Sequence, residues 1–275
     1  ATQLTSIEPL RELTALETLD LGNSFNIADS AALYELPRLK RLRISDGWQA
    51  GCFIPDVTLL PALEELECGA ETLPQLARCR KLKKLKLFLS HFDSKTDFSG
   101  LSRLSELEEL TLNVESAAQN TETLYALREL PKLRKVTFCC KAGTVPLHAF
   151  PAVTELTVLG EDAGSGGSDA ELQIRAETEA DAPALERLSV YAHNKVRFEG
   201  WHSTTLRELR LGRCGIDTLA FTEAFPNLEL LDLSDNRVED IAALTSLPKL
   251  RYLRYTDNVI QNIALLKNRG IVLVE

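Results

Sequence analysis

The chain has 275 residues, 44% of them hydrophobic and only 6% aromatic, with a formal net charge of −9. That acid excess excludes a chain-wide basic footprint for nucleic acid or for an anionic membrane surface. No apolar run approaches the ~18 residues that a membrane-spanning helix needs.

From its start the sequence carries a periodic apolar pattern. Leu4, Ile7, Leu10, Leu13 and Leu16 match Val238, Ile241, Leu244, Leu247 and Leu250 in frame. The sequence therefore enters in the second half of a repeat, and a cap or an upstream segment is expected before Ala1. A strand frame then recurs, beginning at Leu16, Leu39, Leu63, Leu82, Leu107, Leu133, Val153, Leu185, Leu206, Leu228 and Leu250, with a closing strand within Gly270–Glu275. The steps are 23, 24, 19, 25, 26, 20, 32, 21, 22, 22 and 22 residues, so only the C-terminal repeats are regular. Proline stands two residues ahead of the frame at Pro37, Pro61, Pro131, Pro151, Pro183, Pro226 and Pro248. It lacks a backbone donor and suits the residue just outside a strand.

The return segments differ with length. Asp29–Tyr34 and Thr121–Tyr125 read as capped helix starts in long steps, while the steps of 19 and 20 residues leave room only for 3-10 turns. Glu171–Ile174 and Lys195–Glu199 alternate apolar and polar residues and read as extra extended pieces. The 32-residue step contains an insertion, residues 160–181, which opens on Gly164-Ser165-Gly166-Gly167-Ser168 and carries seven carboxylates against Arg175. Such insertions map to loops on one face of a repeat array.

The most regular stretch is Asn227–Asn258. Leu228, Leu231, Leu233 and Asn236 form L-x-x-L-x-L-x-x-N, and Leu250, Leu253, Tyr255 and Asn258 repeat it 22 residues later. This signature resembles the leucine-rich-repeat superfamily, and the spacing is most similar to its 22-residue class, seen in phosphatase-regulator and internalin-type proteins. The asparagine is not carried throughout, with His193 and Cys214 at the matching positions of the two preceding repeats. The resemblance implies an α/β solenoid (a horseshoe) in one domain over residues 1–275. Its concave sheet would hold about 11–12 short parallel strands, with short helices, 3-10 turns and extended segments on the convex side. It also implies a bacterial source and a protein partner on the concave face.

Strand periodicity places the residues on either side of the second leucine on that concave face. One column reads Arg41, Glu65, Lys84, Glu109, Lys135, Glu155, Arg187, Glu208; the next begins Asp20, Arg43, Glu67, Lys86. Alternating signs predict a lattice of cross-strand ion pairs that holds register. In mid-chain the lattice turns neutral at Thr111, Thr137, Thr157 and Ser189, and the next column outward holds Phe88, Asn113, Cys139, Leu159 and Tyr191. These nine are the candidate partner-binding residues, because exposed apolar and aromatic groups on an inner face are where partner anchors dock. The loops beyond add Trp48, Phe53, His91, Phe92, His193, Trp201 and His202, which either reach a partner or pack on the array's own flank.

No catalytic or metal constellation stands out. The four histidines, His91, His148, His193 and His202, show no helix-face pairing, and no C-x-x-C exists. The glycines at 164–167 lack the G-K-[ST] ending of a phosphate loop. Cys68 occupies a strand-core position, and the resemblance implies clustered cysteine caps in extracellular arrays that neither end shows here. Reduced thiols and a cytoplasmic setting are expected, with an exported bacterial effector as the alternative. The expectation is a non-catalytic scaffold that binds a protein and needs no cofactor, metal, nucleic acid or membrane. The alternative is the substrate-recognition domain of a larger enzyme or effector with its catalytic module elsewhere.

Overall fold

The computed structural model describes residues 4–22, 24, 26–44, 54–89, 96–114, 121–140, 142–160, 171–178, 181–267 and 269–275. Trp48, Phe53, His91, Phe92 and most of the insertion at 160–181 lie outside them. The chain forms two compact units, one of Ala1–Glu115 with Glu122–Arg134 and the other of Ser116–Thr121 with Lys135–Glu275.

In the first unit the frames become five parallel strands paired in chain order. They are β1 (Thr18–Asp20), β2 (Arg41–Arg43), β3 (Glu65–Gly69), β4 (Lys84–Leu89) and β5 (Glu109–Val114). The second leucines pair in register, Leu42 with Leu66, Leu66 with Leu85 and Leu85 with Leu110. All four are at most 3% exposed, so each repeat's apolar face is covered by its neighbour. Fully burying one such leucine contributes about 1.5–3 kcal/mol. Cys68, buried to 0% exposure, takes an inward leucine place in β3 as a small apolar residue.

The second unit runs β6 (Lys135–Cys139), β7 (Gly143–Pro146), β8 (Glu155–Leu159), β9 (Leu172–Arg175), β10 (Arg187–Tyr191), β11 (Val196–Glu199), β12 (Glu208–Gly212), β13 (Leu230–Asp232), β14 (Tyr252–Arg254) and β15 (Val272–Val274). Strands β6, β8, β10 and β12 to β15 pair parallel in that order. On the return side β7, β9 and β11 form a second parallel sheet. The expected extended pieces are β9 and β11. Strand β7 was not foreseen, because Gly143 and Pro146 are poor strand formers. Val145, Leu172 and Ile174 are fully buried beneath this sheet, so the described end of the insertion belongs to the core.

Two expectations about the returns need correction. The segments at Asp29–Tyr34 and Thr121–Tyr125 form 3-10 helices, Ala31–Glu35 and Thr121–Glu129, not α-helices. A 3-10 helix rises ~2.0 Å per residue against ~1.5 Å for α, so it spans a return with fewer residues. Conversely, the 19-residue step follows its 3-10 turn, Ala70–Thr72, with an α-helical turn, Leu73–Leu76. Pro74 sits in its first turn, where no backbone donor is needed, and Leu73 and Leu76 anchor it inward.

The regular end is stitched by its asparagines. Asn236 accepts from the backbone N–H of Cys214 at 3.0 Å and of Ile216 at 2.9 Å, and its amide donates to the carbonyls of Leu211 and Leu233 at 2.6 and 2.7 Å. Asn258 repeats the pattern, accepting from Val238 N–H at 3.0 Å and donating to the Leu233 carbonyl at 2.8 Å. Cys214, one repeat earlier, supplies only the donor half, its thiol reaching the Val190 and Gly212 carbonyls at 3.2 and 3.3 Å. Asn236→Ala strands two backbone N–H groups and the carbonyls they face. Each orphaned donor costs roughly 1–3 kcal/mol, so urea unfolding is expected to show a loss of about 2–4 kcal/mol, with Asn236→Asp recovering only the acceptor half.

Candidate functional site

The open face of each sheet carries the columns predicted from the strand period. In the first unit Arg41, Glu65, Lys84 and Glu109 are register partners, as are Asp20, Arg43, Glu67, Lys86 and Thr111. The second row is a chain of charges. Arg43 reaches Asp20 at 3.3 Å and Glu67 at 3.1 Å, and Lys86 reaches the same Glu67 carboxylate at 3.1 Å. Lys84 pairs with Glu109 at 3.3 Å. At the strand entrances Lys40 pairs with Glu17 at 3.2 Å and Lys83 with Glu64 at 2.9 Å. The Lys83 hydrogen bond and charge hold the Glu64 carboxyl below the ordinary carboxylate range. A trough of about 330 Å³ opens over these rows. Its charges already have partners, so it presents little free charge to a ligand.

Three candidate residues lie in this unit. Phe88 and Asn113 are register partners on β4 and β5, and Thr111 sits beside Lys86. All three are half-buried. Lys86 extends over the Phe88 ring, its Nζ 4.8 Å from the centroid, within cation–π range.

The other six lie in the second unit and form two adjacent rows. Thr137, Thr157 and Ser189 are register partners, and so are Cys139, Leu159 and Tyr191. All six are half-buried. The Tyr191 ring lies against β12, where its register partner is Gly212. A β-carbon on Gly212 would stand 2.7 Å from the ring, so the missing side chain makes the seat for the tyrosine. Beside these rows Glu155 is held by Arg187 on one side and Lys135, at 3.4 Å, on the other.

The structure separates other residues from this face. His193, at 2% exposure, is buried in the asparagine place of its repeat, and Trp201 is 4% exposed. The Trp201 ring packs 4.8 Å from Phe225 and 6.3 Å from Phe198, so it serves the array's own flank. His202 is exposed and His148 buried. The described cysteines Cys68, Cys79, Cys139, Cys140 and Cys214 are free thiols. Burial pushes Cys68, Cys140 and Cys214 up to about 12 and Cys79 up to about 11, the opposite of nucleophile activation. Among the described residues no group of His, Cys, Asp and Glu is placed to hold a metal ion, and no helix is long and apolar enough to cross a membrane.

One row was overlooked in the sequence. The column Lys135, Glu155, Arg187, Glu208 does not stop at Glu208 but continues through Leu230, Tyr252 and Val272. Its signal was available: each of the three lies one place before the second apolar residue of its frame.

Burial pushes the Glu155 carboxyl up, but the hydrogen bond and charge of Arg187, helped by Lys135, outweigh it and hold the group below its ordinary range. A folded-state value below the unfolded one contributes stability above the free glutamate value of about 4.3. That contribution is lost as pH falls through the folded value. Glu155→Gln is expected to lower the urea midpoint at neutral pH and to leave a smaller further drop on acidification to about pH 3. An equal acid drop in both proteins would show that the Glu155 pairing contributes nothing.

No family model matches the chain, and no curated protein is similar to it. Solved structures are. An internalin from Listeria monocytogenes superposes with a TM-score of 0.54 and 16% identity, over 99% of this chain and 77% of that one. Drosophila Toll, in its complex with Spatzle, gives 0.61 and 18%, over 94% of this chain and 39% of its own length. TLR13 in complex with ssRNA13 gives 0.59 and 20%, with the same coverages of 94% and 39%. The chain thus spans about two fifths of the latter two, and at these identities the likeness is one of fold. Frame, register and asparagine ladder agree with it: this chain has the leucine-rich-repeat fold.

Proposed function

We propose that the protein is a non-catalytic recognition scaffold that binds a protein partner on the open, concave face of its sheet. The observation that carries this reading is the neutral pair of rows in the second unit, Thr137–Thr157–Ser189 beside Cys139–Leu159–Tyr191. Elsewhere on the open face side chains are tied into ion pairs such as Lys86–Glu67 and Arg207–Glu229. Here half-buried apolar and hydroxyl groups stand free of charge. A tyrosine held by packing loses little entropy on binding, which favours it as an anchor. In the first unit Phe88, Asn113 and Thr111 supply the same kind of surface.

The fold is one whose solved examples include a protein complex, Toll with Spatzle, and an RNA complex, TLR13 with ssRNA13. A net charge of −9 and rows of alternating sign give no run of cations to follow a phosphate backbone. Protein is therefore the partner class this face favours.

The double variant Tyr191→Ala with Leu159→Ala removes the centre of the row. A partner recovered by pull-down from the native cell is expected to be retained at least about tenfold less well, since an anchor of this kind is worth roughly 2 kcal/mol or more. Glu199→Gln, on the return-side sheet, serves as the control. Equal recovery by all three proteins would remove this surface from the binding site.

A further inference from the structure

The overlooked row defines a second surface, at the C-terminal end of the second unit. Leu230, Tyr252 and Val272 are consecutive register partners on β13, β14 and β15. Leu230 and Tyr252 are half-buried, and Val272 is 56% exposed. Val274 lies two residues along β15 on the same face. At ~4.8 Å between strands the row is about 10 Å across, the width of one docked peptide segment. Up to Glu208 this column consists of charged residues; here it is an apolar strip.

Charge at the strip's border is unbalanced. Asp232 is the register partner of Arg254, but its carboxylate is engaged locally. Oδ1 accepts from the Ser234 N–H at 2.9 Å and from the Ser234 hydroxyl at 2.6 Å. Glu229 pairs with Arg207 at 2.7 Å, and Arg210 with Glu208 at 2.8 Å. Arg251 and Arg254 are both exposed. Among the described residues neither guanidinium has an ion-pair partner. Two free guanidiniums thus flank an apolar strip, on a face where the other arginines of the neighbouring strands are paired.

We infer that β13, β14 and β15 form a docking surface for an acidic, apolar segment of a protein partner. Its apolar side chains would cover Leu230, Tyr252 and Val272, and its carboxylates would meet Arg254 and Arg251. This inference rests on the reading of the open face as the protein-binding face. The chemistry is complementary at both levels. Apolar strip buries against apolar side chains, and a planar guanidinium pairs bidentately with a carboxylate.

The test uses the full chain and random peptides displayed on phage. Peptides selected on the wild-type protein are expected to be enriched in Asp and Glu beside Leu, Ile or Phe. Their binding, read by anisotropy of the labelled synthetic peptide, is expected to fall about tenfold or more for Tyr252→Ala and for Arg254→Glu. It should weaken with added salt and stand unchanged for Tyr191→Ala with Leu159→Ala. Arg254→Glu and Arg251→Glu change only exposed residues, so they report on docking even where Tyr252→Ala disturbs folding. Selected peptides without carboxylates, binding indifferent to Arg254→Glu, or displacement of peptide by single-stranded RNA would each overturn the inference. Binding lost only in the Tyr191 and Leu159 variant would overturn it while leaving the proposed function in place. Binding lost in neither set of variants would count against both.

Discussion

No repeat of this chain can bury its own leucines; each needs the next. A strand of three to six residues has too few backbone hydrogen bonds to persist alone, and its inward side chains would face water. Stacking removes both problems at once, and in doing so it sets the register. Leu209 is fully buried while Arg210, the next residue, is half-buried on the open face. A slip of one residue would exchange them and bury the guanidinium. The order of charges on the open face is therefore a consequence of leucine burial. Once Leu188 sits against Leu156 and Leu209, Arg187 must lie between Glu155 and Glu208. Individually such pairs are weak, about 0.2–1 kcal/mol, and their value lies in agreeing with the register that the core dictates.

The strand ends obey a second constraint. In four consecutive repeats the residue before the asparagine position has positive φ, namely Ala192 at 60°, Arg213 at 55°, Asp235 at 57° and Asp257 at 54°. Asp tolerates that region; alanine and arginine do so at a cost of about 1 kcal/mol. The turn persists because its backbone groups are used. Arg213 N–H donates to the Ser234 carbonyl at 3.0 Å, and Asp235 N–H to that of Thr256 at 2.8 Å. Asparagine at the following position completes the turn twice. Cysteine completes half of it, and the buried His193 fills the same place one repeat earlier. The regular spacing of the last repeats and this shared turn are one fact seen at two levels.

Much of the candidate site could be read from the chain, because a side-chain period of two converts a repeat frame into columns without further information. Thr137, Thr157 and Ser189 share a row, and so do Cys139, Leu159 and Tyr191, as the frame demands. Other features depend on contacts between residues far apart in sequence. The seat of Tyr191 exists because Gly212, on the next strand, has no side chain. Trp201 leaves the candidate surface because Phe198 and Phe225 enclose it. Strand β7 is extended although Gly143 and Pro146 disfavour it, because β9 supplies a partner. The α-helical turn at Leu73–Leu76 appears in the shortest repeat, where length alone argued against it.

The sequence by itself determined the fold and the composition of each column. Leucine spacing specifies which residues must go inward, and the strand period assigns their neighbours to the open face. Tertiary structure decided which of those neighbours remain available to a partner. That depends on whether a charge finds an opposite charge across the strand spacing, as Lys86 and Arg187 do, or is left without one, as Arg251 and Arg254 are. The leucine pattern is a local periodicity and is written in the chain. Availability is a property of packed pairs, and it exists only once the strands lie side by side.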